Sequence, residues 1–184
     1  MATSLQGVIN DPKDSLTSPA SDLIAAEAVV GGMLVVEDNA DDLFFLQKAV
    51  SAAGLSGATT FVQGGSEAIE FLERGIAAGN KGTGLLPKVV LLDLAMPRVT
   101  GFDVLTWMGT QKALGEVPVI VFMGVESPEK LARAMRLGAK RCYIKSQETG
   151  KWVELIREVA GEFGLYPIVA VAATKTAEKG PKEI

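Results

Sequence analysis

Val89-Val90-Leu91-Leu92-Asp93 is the stretch on which the fold turns. Its first four residues are apolar without a polar face, the pattern of a strand covered on both sides in a parallel sheet. An acid then stands at the strand's carboxyl end. Working outward, Met33-Leu34-Val35-Val36 repeats the pattern after Gly31-Gly32 and also ends in acid, Glu37-Asp38. Behind it Leu43, Phe44, Leu46, Gln47, Val50 and Ala53 recur at helical spacing, with Asn39 as N-cap, Asp41 and Asp42 at the positive helix start and Gly54 as the stop.

The same alternation continues. Ala58–Val62 reads as a second strand and Ser66–Leu72 as a second helix with Ser66 capping, followed by a long loop from Gly75 to Pro87. After the Val89 strand come a helix over Gly101–Met108, a strand over Val117–Phe122 and a helix over Pro128–Leu137 closed by Gly138. A strand over Arg141–Ile144 and a helix over Glu148–Phe163, ending at Gly164, complete five strand–helix pairs. Trp107 and Trp152 read as ordinary helix residues of core or surface. Such an order predicts an α/β, doubly wound, five-stranded parallel sheet with helices on both faces and right-handed crossovers.

Ligands of these sheets bind beyond the carboxyl ends of the strands. That rule alone puts Glu37, Asp38, Asp93, Met123 and Lys145 on one rim. Three carboxylates held together need a cation, and Mg2+ suits hard oxygen ligands with water and phosphate completing its shell. An Asp there can attack a phosphoryl donor and become an acyl phosphate, with Lys145 balancing the added charge. Taken singly, each residue has a blander reading: an acidic pair before a helix often only caps it, and a lysine at a strand end is usually a solvated charge. The combination is what carries the chemistry.

At 184 residues the chain suits one domain with tails, read as a leader over 1–28, a domain over 29–164 and a tail over 165–184 that begins apolar and ends polar. Hydrophobic residues make up 48%, yet no apolar run approaches the roughly 20 residues of a membrane span. The net charge of −4 and the lack of a basic stripe argue against nucleic acid as a partner. The N-terminus lacks the basic start and apolar core of a secretory signal, so a cytoplasmic location is expected. With no histidine, Ser-His-Asp and HExxH chemistry are excluded, and the single cysteine, Cys142, reads as a small buried apolar residue.

The strings VVEDNADD, LLDLAMPRVTGFDVL, VPVIVFM and LGAKRCYIK, in this order over roughly Met33 to Phe163, resemble the four signature regions of response-regulator receiver domains of two-component signalling, a flavodoxin-like fold. The EDNxxD form of the first string and the long loop before Asp93 are most similar to stand-alone receivers associated with phytochrome-type histidine kinases. The resemblance implies that Asp93 is the phosphoacceptor, that Asp38, Asp93 and the Ala95 backbone carbonyl ligate Mg2+ with Glu37 acting through water, and that Lys145 contacts the phosphoryl group. Met96-Pro97 and Gly101 would shape the loop after the acceptor.

Three positions, in two places, depart from that family's pattern. Met123 stands where a Ser or Thr hydroxyl normally binds the phosphoryl group, and a thioether donates no hydrogen bond. Cys142 stands where the switch aromatic normally lies, with Tyr143 after it, and Ser146 replaces the usual proline, so a trans peptide is expected there. The expected function is therefore a single-domain response regulator, not an enzyme beyond its own phosphorylation and slow dephosphorylation. It would take phosphate from a histidine kinase or phosphotransfer protein and signal through an unknown downstream protein, with a homodimer as one option. The alternative is a phosphate-independent receiver used for docking or dimerisation. A nucleotide binder or an aspartyl-phosphate phosphatase fits poorly, because Ala95 occupies the place of the latter's second Asp and no glycine-rich loop follows the first strand.

Overall fold

The computed structural model describes residues 31–79, 86–146 and 148–166. The elements run β1 (Met33–Val36), α1 (Ala40–Ala52), β2 (Thr59–Val62), α2 (Gly65–Gly79), β3 (Val89–Asp93), α3 (Gly101–Thr110), β4 (Val119–Met123), α4 (Pro128–Arg136), β5 (Arg141–Ile144) and α5 (Thr149–Phe163). All five strands are parallel, in the order β2-β1-β3-β4-β5. Every residue of β1, β3 and β4 is buried, as continuous apolar runs in the middle of a covered sheet require.

Strand residues alternate between two faces, and the core divides accordingly. Leu34, Val36, Val90, Leu92 and Val121 pack with Ala68 and Leu72 of α2, Val104, Leu105 and Met108 of α3 and Ala134 of α4. Met33, Val35, Val89, Leu91, Ile120 and Phe122 pack with Leu46, Ala49 and Val50 of α1 and Trp152, Ile156 and Val159 of α5. Two helices cover one face and three the other. Of the predicted inner side of α5, Trp152, Ile156 and Val159 are buried, whereas Val153, Leu155 and Phe163 are half-buried.

The second helix differs from its sequence reading. It starts at Gly65 and runs to Gly79, so Ser66 lies inside it and the first part of the expected loop is helical. Gly75 costs a helix about 1 kcal/mol relative to Ala, but Leu72 and Gly75 are buried and Ile76 packs against the same cluster. Tertiary burial outweighs the local propensity. Ala58 belongs to a short 3-10 turn rather than to β2, and β4 begins at Val119 and includes Met123. The leader over 1–28, the loop residues 80–85 and the tail from 167 onward lie outside the described residues. Of the apolar start of the tail, Leu165 is buried in the α1–α5 side of the core and Tyr166 is exposed.

One glycine secures the loop that follows β3. A Cβ on Gly101 would stand 2.2 Å from the Asp93 carbonyl oxygen and 2.8 Å from the Leu94 Cα, both backbone atoms that cannot step aside. Gly101→Ala is expected to lower stability by about 2 kcal/mol and to disturb Asp93 itself. A thermal melt of the variant matching that of the parent chain would show that the loop has more room than this.

Candidate functional site

The carboxyl ends of β1, β3 and β5 meet at one edge, and the chain's own chemistry collects there. Asn39 caps α1 by accepting from the Asp41 and Asp42 amides, which starts the helix directly after the acidic pair. Glu37 is wholly buried, its Oε1 accepting the Asn39 N–H at 3.1 Å. Asp38 is exposed, while Asp93 is 2% exposed with Oδ2 accepting the Ala95 N–H at 2.8 Å. Carboxylate oxygens of Glu37, Asp38 and Asp93 lie within 4.8 Å of one another.

Lys145 closes the cluster. Its backbone N–H donates to the Met123 carbonyl at the end of β4. Its Nζ donates to Glu37 Oε2 at 2.7 Å and to Asp42 Oδ2 at 2.8 Å, and stands 2.9 Å from Asp93 Oδ1. The last contact pairs charges without hydrogen-bond alignment, so Asp93 Oδ1 is a buried carboxylate oxygen with no hydrogen-bond donor. Three acids share one ammonium. Burial works against the Lys145 charge, but the hydrogen bonds it donates to Asp42 and Glu37 and the negative charge of Asp93 prevail and hold its pKa above the usual lysine range.

Asp42 is the member that sequence reasoning assigned only to the helix start. It sits in the first turn of α1, directly after β1, and first-turn side chains there overlook the strand ends. That geometry was the available signal. Met123 and Cys142 lie on the α4 side of the sheet, where they line, with Leu131 and Pro128 of α4 and Ile144, a cavity of about 240 Å3. Cys142 is half-buried and burial pushes its thiol pKa up, which makes it a poor nucleophile. Tyr143 packs on the opposite face, its hydroxyl donating to Glu158 of α5 at 3.0 Å. The bond between Lys145 and Ser146 is trans.

The Glu37 carboxyl has its pKa pushed up to about 7, first by burial and further by the Asp93 charge, against the pull of Lys145. Because the folded value exceeds the ordinary 4.5, the folded chain holds this proton where the unfolded chain releases it. The associated stability is full below about pH 4.5 and is lost as pH rises through about 7. In magnesium-free buffer Tm is therefore expected to decline over that window, and Glu37→Gln to flatten the decline. An unchanged slope in the variant would refute the assignment.

A buried carboxylate oxygen without a donor, beside two further carboxylates, is what a bound cation would satisfy. The donor set is all oxygen, which suits Mg2+. Fold and cluster together define a doubly wound α/β domain with a cation-competent acidic site at its strand ends. A family model for the response regulator receiver domain matches residues 33–157, and the chain belongs to that family.

The probable methanogenesis regulatory protein FilR2 of Methanothrix harundinacea (strain 6Ac) is 30% identical over 129 residues, 68% of this chain and 81% of that protein. The two-component response regulator ORR1 of Oryza sativa subsp. indica is 28% identical over 128 residues, and the chain spans 53% of its length. Among solved structures, the bacteriophytochrome response regulator AtBRR superposes with a TM-score of 0.57 at 28% identity, over 74% of this chain and 94% of that one. Among the described residues no helix is long and apolar enough to cross a membrane.

Proposed function

We propose that this receiver takes a phosphoryl group onto Asp93 from a histidine kinase or phosphotransfer protein, with Mg2+ held by Asp38, Asp93 and the Ala95 carbonyl and with Glu37 behind them. The observation that carries the reading is the buried, donorless Asp93 Oδ1 beside Glu37, Asp38 and the Lys145 ammonium. When bound, Mg2+ supplies Lewis-acid neutralisation of the phosphoryl oxygens. The Asp93 carboxylate attacks phosphorus as the donor's bond to phosphorus breaks, and the electron pair leaves with the donor. Lys145 then offers its ammonium to the new phosphoryl group, drawn from the carboxylates it bridges. Output goes through protein contacts, and the likeness to a bacteriophytochrome response regulator favours a phytochrome-type kinase as donor.

A second reading, a phosphate-independent docking or dimerisation module, has one observation behind it. Met123 offers no hydroxyl and its side chain is 5% exposed, packed on the α4 side of the sheet. Incubation with Mg2+ and acetyl phosphate or beryllofluoride separates the two. An Asp93-dependent adduct is expected; absence of any adduct, together with absence of magnesium binding, would leave only the second reading.

Once formed, the acyl phosphate is expected to be long-lived. Ala95 and Val125 are both exposed beside the acceptor loops, and neither side chain has a polar atom to orient an attacking water. Decay of the phosphorylated protein after donor removal should take minutes or longer. Loss within seconds would contradict this.

A further inference from the structure

Lys145 lies at the end of an edge strand, yet its ammonium must reach across β4 to Asp93 and Glu37, so the backbone on both sides of it has to be held. On the N-terminal side the Lys145 N–H is bound by the Met123 carbonyl at 2.8 Å. On the C-terminal side a single tertiary hold is found among the described residues. Trp152 of α5 is 2% exposed, and its indole Nε1 donates to the Ser146 carbonyl at 2.7 Å. A buried indole N–H is a short, neutral and well-aimed donor, and it needs a partner as much as the carbonyl does.

The indole is itself fixed. It packs edge-to-face on Phe122 with ring centroids 5.4 Å apart, and Phe122 is the β4 residue in register with Asp93. One side chain therefore ties the residue after Lys145 to the strand beside the acceptor. Ser146 has no proline ring to stiffen the turn, and its Oγ is occupied by the Glu148 N–H. We infer that Trp152 is the positioning residue for Lys145, setting through the Ser146 carbonyl where the ammonium stands relative to Asp93. The anchor stands on these contacts alone; its consequence for phosphoryl transfer rests on the function proposed above.

Two measurements on the full chain test it. In the first, Trp152→Phe and a chain carrying β-(3-benzothienyl)alanine at residue 152, which keeps the bicyclic shape without the N–H, are acylated with an N-hydroxysuccinimide ester and read by mass spectrometry. The Lys145 side chain is 11% exposed and shared by three carboxylates, so it should label slowly in the parent chain. Without the N–H its labelling should rise about tenfold, relative to the exposed Lys112. No rise in either variant overturns the anchor.

In the second, the rate of phosphorylation by acetyl phosphate should fall about tenfold in Trp152→Phe, because a small misplacement of a reacting group is costly. Magnesium affinity, set by the carboxylates, should stay unchanged. In a Lys145→Gln background the same Trp152 change should have no further effect. An equal loss in both backgrounds would show that Trp152 only supports the fold and would overturn the inference. If the parent chain takes no phosphate while Lys145 labelling still rises, the anchor is upheld and the phosphoacceptor reading fails instead.

Discussion

Asp93→Asn is expected to abolish covalent phosphorylation, with the acetyl phosphate reaction falling at least about a hundredfold. A side-chain amide is not a nucleophile toward phosphorus, and among the described residues no other carboxylate at the rim is both buried and one oxygen short of a hydrogen bond. The fold should survive, because the amide oxygen can still accept the Ala95 N–H that Asp93 Oδ2 accepts at 2.8 Å. Magnesium binding should weaken, since one of three clustered carboxylates is lost. Phosphate incorporation within tenfold of the parent would place the acceptor at another residue.

Lys145→Gln should have the largest effect on stability. It leaves Glu37, Asp42 and Asp93 without the ammonium that stands 2.7, 2.8 and 2.9 Å from them. Removing one partner of a buried charge cluster typically costs about 3 kcal/mol, which in a domain of this size is about 10 °C in Tm. Ammonium and metal would serve the same carboxylates, so Mg2+ should raise the Tm of the variant more than that of the parent. Equal shifts in both would mean that the cation binds away from this cluster.

Much of the fold was legible because its signals are local. The apolar runs at Met33–Val36 and Val89–Leu92 are buried on both faces as read, and Asn39 caps α1 with its own side chain. The gathering of Glu37, Asp38, Asp93 and Lys145 at one edge followed from strand polarity, since parallel strands bring all their carboxyl ends together. Helix α2 was misjudged for the opposite reason. Gly75 counts locally as a breaker, and only the burial of its face shows why the helix continues.

By itself the sequence determined the alternation of strands and helices, the acids at the strand ends and the family signatures, all of which depend on residue type and spacing along the chain. Tertiary structure alone decided which side chains pair across it. It set Asp42 against a lysine 103 residues away, put Glu37 out of solvent so that its carboxyl titrates near 7, and turned Cys142 and Tyr143 to opposite faces of β5. It also laid the Trp152 N–H on the Ser146 carbonyl, giving an apparently ordinary helix residue a hold on the site. The reason is physical: hydrogen bonds and desolvation act over a few ångströms in space, and spacing along the chain reveals such distances only within one helix or strand.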